Sequence, residues 1–308
     1  MRWNEDDGKQ HGKRAMKRTT SNSGSKGAEA DAAVVVSTYN RPKALNLVLE
    51  GLFHQKVRAR QIVVGDDGST QETCEVIESW RARGLPVEHC WHEDRGYRKS
   101  VIMNQAIRMV KQPLCIFTDG DCVPLEGFVR DHVRYAEAGF ILAGPRILAN
   151  ETLTEALESG SDSCLGKSSL WWLWQGLRRN VNRLTPLIHL PDGAWRKSAP
   201  RKWEWVRGCN FSVETKHVWR VGGFEENLFG WGPDDSDIAV RMINDGVRVK
   251  SLRFAAPVLH LWHKEESRVT LEQNLAYLHA ALAEKRTRAT AGFSDEEIAA
   301  WELVNLAA

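Results

Sequence analysis

The sequence predicts an α/β fold: a mainly parallel, mixed sheet covered by helices, with a helical C-terminal extension. Three observations lead there. Short apolar strand segments alternate with stretches of helical spacing from Asp31 to residue 118. Helices of that length between apolar strands belong to parallel sheets covered on both faces. Polar clusters at 38–41, 66–69 and 119–121 fall at strand ends, where sheets of this kind bind ligands.

Taken in order, Ala32–Ser37 is a first strand, and Arg41-Pro42 opens a helix with Leu45, Val48, Leu49 and Leu52 at helical spacing. Gln61–Gly65 is a second strand, closed by Asp66-Asp67-Gly68-Ser69, and 71–83 a helix with Val76, Ile77 and Trp80 on one face. Pro86–Trp91 is a third strand, 98–110 a helix, and 114–118 a fourth strand. Residues 150–205 hold few strand signals and many tryptophans, so they read as helices and long loops. Trp205–Val213 returns to the sheet. Gly232-Pro233 starts a helix with Ile238, Ala239 and Met242 inward, and short strands follow at 247–254 and 257–261. A helix spans 270–284, and Ser294-x-x-Glu297 is a capping box for a last one. No internal repeat is visible.

Composition excludes several classes. With 42 basic and 40 acidic residues there is no bulk charge for nucleic acid. Six scattered cysteines lack C-x-x-C spacing, which points to a reducing, cytoplasmic compartment and to cysteines that are plain core residues. No apolar run approaches the roughly 20 residues that span a bilayer. Residues 1–30 read as a disordered tail with basic pairs at Lys13-Arg14 and Lys17-Arg18.

The most informative stretch is Leu114-Cys-Ile-Phe-Thr-Asp-Gly-Asp-Cys122. Asp119 and Asp121 sit at i and i+2, so in extended chain they point to one side and converge on one hard cation. Asp-Gly-Asp is also ordinary turn chemistry. A second cluster, Phe229-Gly-Trp-Gly-Pro-Asp-Asp-Ser-Asp237, carries three acids at a helix start, where acids also serve the helix dipole.

Ser37-Thr-Tyr-Asn-Arg-Pro42, Val63-Val-Gly-Asp-Asp-Gly-Ser69 and Thr118-Asp-Gly-Asp121, in that order, resemble the nucleotide-sugar domain of family 2 glycosyltransferases, with the GT-A (Rossmann-like) fold. The Phe229–Asp237 cluster resembles the Gly-Trp-Gly-x-Glu-Asp segment of β-1,4-galactosyltransferases and bacterial chondroitin-type synthases. The resemblance implies a glycosyltransferase domain at 31–265, with a nucleotide-binding half at 31–145 and an acceptor and catalytic half at 146–265, then C-terminal helices at 266–308. It implies that Thr38 and Tyr39 frame the uracil of a UDP-sugar, with Arg41 nearby. Asp67 accepts the uracil N3–H and Asp66 shapes the turn. Asp119 and Asp121 are the metal-binding pair for Mn²⁺ or Mg²⁺, joined by His260 or His263. Lys99 and Arg95 reach the diphosphate or uridine, although solvated charges at a helix start explain both as well. Gly208 lines the donor-sugar pocket. Trp231 closes over donor and acceptor, Asp235 is the catalytic base and Asp234 the acceptor-binding acid. Here the first acid is Asp rather than Glu, and Pro233 precedes it.

These roles imply an inverting, metal-dependent hexosyl- or N-acetylhexosaminyl-transferase. Its acceptor is a carbohydrate or a lipid-linked saccharide, in bacterial lipopolysaccharide or capsule synthesis. Two alternatives stand beside it: a nucleotidyltransferase, whose Gly-rich phosphate loop is absent from Ser37–Pro42, and a catalytically inactive sugar- or lipid-binding subunit of a polysaccharide assembly complex. Trp171, Trp172 and Trp174, followed by Arg178-Arg179, fit either a core helix or a segment resting on the inner, anionic face of the cytoplasmic membrane.

Overall fold

The structure is a computed structural model that describes residues 28–265 and 267–305. Its first half alternates as expected: β1 (Ala28–Thr38), α1 (Pro42–Phe53), β2 (Val57–Asp66), α2 (Gln71–Ala82), β3 (Val87–Trp91), α3 (Lys99–Arg108) and β4 (Leu114–Asp119). The predicted tail lies outside the described residues except for 28–30. Those three are not tail: they extend β1, where Ala28 and Ala30 pair with Val57 and Ala59.

Three short strands and two helices were not foreseen: β5 (Cys122–Pro124), α4 (Phe128–Tyr135), β6 (Phe140–Ala143), β7 (Arg146–Leu148) and, further on, a helix at 215–220. The irregular stretch then holds α5 (Glu151–Glu158), α6 (Ser169–Leu177) and three short 3₁₀ turns. Of the expected strand at 205–213, only β8 (Phe211–Glu214) forms. There follow α7 (Thr215–Arg220), α8 (Asp234–Asn244), β9 (Arg248–Ser251), β10 (Val258–His260), α9 (Leu271–Ala283) and α10 (Asp295–Asn305).

The main sheet has the order β3-β2-β1-β4-β8-β6-β9. β1 to β4 run parallel, β8 is antiparallel to β4 and β6, and β6 is parallel to β9. A second sheet, β5-β10-β7, brings His260 opposite Cys122 and so beside Asp121.

β1 explains the packing. Val34 and Val36 pack with Ile62, Val64, Ile116 and the inner face of α1 (Leu45, Val48, Leu49). Their neighbours Ala33 and Val35 join Val63, Cys115 and Phe117 against Met103 and Ile107 of α3 and Ile238 and Met242 of α8. Successive side chains alternate faces, so a strand covered on both sides reads as an unbroken apolar run. Helices therefore cover both faces of the sheet.

α10 closes the molecule. Ser294 Oγ accepts from the Glu297 amide at 3.2 Å and the Glu297 carboxylate accepts from the Ser294 amide at 2.9 Å, the reciprocal cap foreseen in the sequence. Phe293 and Trp301 stack on Trp219 of α7, with ring centroids at 4.2 and 5.4 Å.

Candidate functional site

The carboxyl ends of β1, β2 and β4 open into one cavity of about 1000 Å³. Two backbone bonds fix its floor. The Gly120 amide donates to the Ser37 carbonyl at 2.6 Å and the Asp67 amide to the Thr38 carbonyl at 3.0 Å. A side chain at residue 120 would meet Thr38 Oγ1 at 2.8 Å, so only glycine permits this approach. Gly68 adopts φ +94°, and a Cβ there would lie 2.5 Å from Asp94 Cα, so the turn after β2 also needs glycine.

On the β2 side, Asp67 is nearly buried, and burial raises its carboxyl pKa despite its partners. Oδ1 lies 2.6 Å from His92 Nε2 and Oδ2 accepts from the Arg98 amide at 2.8 Å. Each carboxylate oxygen has two lone pairs, so capacity for a further N–H remains. Asp66 does not line the cavity: it accepts from the Ser69 amide at 2.8 Å and sits 2.9 Å from His89 Nε2, shaping the turn. Tyr39 is exposed at the rim, its hydroxyl donating to Asp94 at 3.0 Å, a bond that raises the phenol pKa.

In the centre, Lys99 of α3 lies between carboxylates from distant parts of the chain. Its Nζ donates to Asp119 Oδ1 at 2.9 Å and stands 3.7 Å from Asp234 Oδ2. Burial alone would depress this ammonium, but Asp119 and Asp234 reverse that and hold its pKa well above the usual lysine value. Asp119 Oδ1 also accepts from Ser37 Oγ at 2.7 Å. Burial opposes ionisation of Asp119, and Lys99 and Ser37 overcome it, so its pKa is lowered. Asp234 has the opposite balance. Burial, with Asp235 and Asp119 nearby, raises it to about 6 against the pull of Lys99. Asp235 is oriented differently: Oδ2 accepts from the Gly208 amide at 2.7 Å and Oδ1 from Ser236 Oγ at 3.2 Å.

The two acids flanking Gly120 therefore part company. β4 ends at Asp119 and the chain turns through Gly120, so the extended i, i+2 geometry does not continue to Asp121. Asp121 instead faces the histidines, with Oδ1 3.6 Å from His260 Nε2 and Oδ2 3.4 Å from His263 Nε2. His263 Nδ1 lies 2.8 Å from the Lys264 carbonyl, which can only accept, so Nδ1 carries the proton. In the neutral ring Nε2 then presents its lone pair to a carboxylate oxygen. Burial lowers the His260 pKa, which favours its neutral ring. Lone pairs facing oxygens at this spacing suit a cation between them, and a carboxylate with two imidazoles suits Mn²⁺ or a similar ion. Cys122 Sγ is within 4.8 Å of Asp121 and His260 ligand atoms, but burial and the Cys209 thiol push its pKa well up, so it stays a thiol. Arg41 braces the group, donating to Asp121 Oδ2 at 2.9 Å, to Glu158 at 3.2 Å and to the Trp262 carbonyl at 3.2 Å.

Thr38, Tyr39, Arg41, Asp67, Lys99, Asp119, Asp121, Gly208, Trp231, Asp234, Asp235, His260 and His263 thus share one cavity wall. Arg95 does not join them: it pairs with Glu93 at 2.9 Å and is mostly exposed. The third acid, Asp237, is buried in an ion pair with Arg241 at 2.7 Å and belongs to the packing of α8. Sequence reasoning missed Arg146, Trp203 and Trp262, which also line the cavity. Arg146 is brought in by the register of β7 with β10, Trp262 by its amide bond to Thr154 of α5 at 2.8 Å, and Trp203 by packing among the buried residues of α8.

A mainly parallel sheet with this cavity at its strand ends defines the GT-A class of glycosyltransferase folds. A solved structure of GalNAc-T7 with UDP, GalNAc and Mn²⁺ is similar over 82% of this chain and 48% of its own, with a TM-score of 0.57 at 11% identity. Residues 33–196 match the model for glycosyl transferase family 2, and the chain belongs to that family. Residues 194–264 match the model described as the N-terminal domain of galactosyltransferase. A validoxylamine A glucosyltransferase from Streptomyces hygroscopicus is 28% identical over 70% of this chain and 52% of its own length. A chondroitin synthase from Escherichia coli is 22% identical over 72% of this chain and 34% of its own. The chain therefore spans about half or less of these relatives.

Proposed function

We propose that this chain transfers a hexosyl or N-acetylhexosaminyl unit from a UDP-sugar to a hydroxyl of a carbohydrate or lipid-linked acceptor, with inversion and with a divalent cation. The observation that carries this reading is the convergence of Asp121, His260 and His263 in the same cavity as Asp67 and Asp235. Asp67 would take the uracil N3–H, a donor that cytosine lacks, while Thr38 and Tyr39 border the base. Asp121, His260 and His263 would hold Mn²⁺ or Mg²⁺, which when bound neutralises charge on the departing diphosphate. Lys99 would contribute a fixed positive charge from the other side. Asp235, held by Gly208, would take the proton from the acceptor hydroxyl. The neighbour solved with UDP and Mn²⁺ supports the donor and cation classes. The likeness to a chondroitin synthase from Escherichia coli supports a role in bacterial polysaccharide synthesis.

A specific observation favours a second assignment of the base. Asp234 Oδ2 is buried without a hydrogen-bond partner among the described residues, and its pKa near 6 suits proton transfer.

The test is calorimetric titration of UDP with and without Mn²⁺. Wild type should bind UDP more tightly with the cation. Asp121→Ala should lose that increment and lose transfer. An unchanged Mn²⁺-dependent affinity in Asp121→Ala would overturn the metal assignment.

A further inference from the structure

α6 presents an apolar face to solvent. Leu170, Leu173, Trp174 and Leu177 are exposed by 77, 50, 53 and 70%. Their spacing of i, i+3, i+4 and i+7 puts them on one side of the helix. The other side is anchored, with Trp172 and Gln175 buried and Trp171 packed edge-on to Trp172 at 4.9 Å. The three tryptophans thus divide between core and surface, and the outward stripe is mostly leucine.

Charge identifies what covers it. From Ser163 to Leu190 the sequence carries Lys167, Arg178, Arg179 and Arg183 and no aspartate or glutamate. Arg178 lies over the Trp174 ring at 4.9 Å and is exposed with Arg179 at the carboxyl end of the stripe. Lys167 is already paired with Asp162 at 3.0 Å, so the cations left at the end of the stripe are the exposed Arg178 and Arg179, and a partner helix or a second copy of this chain would need acids or carbonyls to meet them. An anionic lipid surface meets both, and a short helix lying flat can sink its apolar side to the acyl boundary while arginines reach the headgroups. No helix among the described residues is long and apolar enough to cross a membrane, so contact would be of this flat kind.

We propose that α6 is a membrane-docking helix that rests on anionic phospholipid through Leu170, Leu173, Trp174 and Leu177, with Arg178 and Arg179 at the headgroups. The segment after it is tied to the cavity wall. Arg183 Nε donates to the Arg146 carbonyl at 3.2 Å, the Leu148 amide donates to Asn182 Oδ1 at 2.9 Å, and Arg146 and Leu148 both line the cavity. Docking therefore sets the cavity at a fixed height above the bilayer, where a lipid-linked acceptor would present its sugar. The inference stands on α6 alone and goes beyond the donor and cation reading.

The experiment is vesicle flotation of the full chain with phosphatidylcholine, with and without phosphatidylglycerol, alongside melting temperature, light scattering and UDP titration. Wild type should float only with the anionic vesicles, less so in high salt. Leu170→Ser with Leu173→Ser, Trp174→Ser and Leu177→Ser should abolish flotation while UDP affinity stays unchanged and the protein keeps a cooperative melt, lowered only by the half-buried parts of Leu173 and Trp174. Arg178→Gln with Arg179→Gln should weaken binding about 30-fold, since each basic residue near an anionic surface contributes roughly fivefold in affinity. Wild type that does not float, or a quadruple variant that still does, overturns the proposal. So does a wild-type dimer that becomes a monomer in the quadruple variant without any vesicle binding, which would make the stripe a subunit interface.

Discussion

Asp234 is the carboxylate whose charge the fold accommodates least. Its pKa is raised from 3.8 to about 6, so the native state binds a proton that the unfolded chain has already released in that window. Stability attached to this group is present below the unfolded value and is lost as pH rises through about 6. Asp234→Asn removes the ionisable group and keeps the shape. The variant should therefore melt higher than wild type at about pH 8 and differ little at about pH 3, below both values; a variant less stable at the higher pH would contradict the raised pKa. Turnover separates the two acids. Asp235→Asn should keep UDP binding and lose about 100-fold or more in rate, the lower range for loss of a general base. Near-normal turnover there, with a comparable loss in Asp234→Asn, would move the base to Asp234.

The same contrast of local and distant partners runs through the elements. α10 was legible because its cap is local, with Ser294 and Glu297 three residues apart. What it packs on was not. Trp301→Ala should lower stability by about 1–3 kcal/mol, below the roughly 3–5 kcal/mol of a fully buried tryptophan, because Trp301 is only half-buried on Trp219. A melting temperature equal to wild type would show that the stack adds nothing. β1 to β4 and α1 to α3 could be read from apolar period and turn chemistry, since each is long enough to carry its own pattern. β5, β6 and β7 could not: they have three or four residues each and exist because β10, β8 and β9 pair with them across the chain. In the site, Asp67, Asp121 and Asp235 were legible as acids at strand or helix ends. The bridge from Lys99 to both Asp119 and Asp234 was not, because no local spacing relates residue 99 to 234. For Arg95 the sequence left the cavity and a solvated surface both open, and the structure has it on the surface, paired with Glu93 two residues away.

At the scale of the whole molecule, the strand order divides the chain by time as well as by space. Synthesis proceeds from the amino end, and domains fold as their parts emerge. β1 to β4 are contiguous in sequence and neighbours in the sheet, so β2, β3 and β4 each find a partner as soon as they are made. β6 is different. Leu142 pairs with Ser212, and Ile141 with Val249, both still unmade when Phe140–Ala143 leaves the ribosome. At roughly 5–20 residues per second, the wait for Ser212 is on the order of 4–14 s. During it an apolar strand has no hydrogen-bonded neighbour, the state in which chains aggregate or recruit chaperones. Synonymous slow codons over residues 150–205 should therefore reduce the yield of folded protein, while the same codons after residue 252, when β9 is complete, should leave it unchanged.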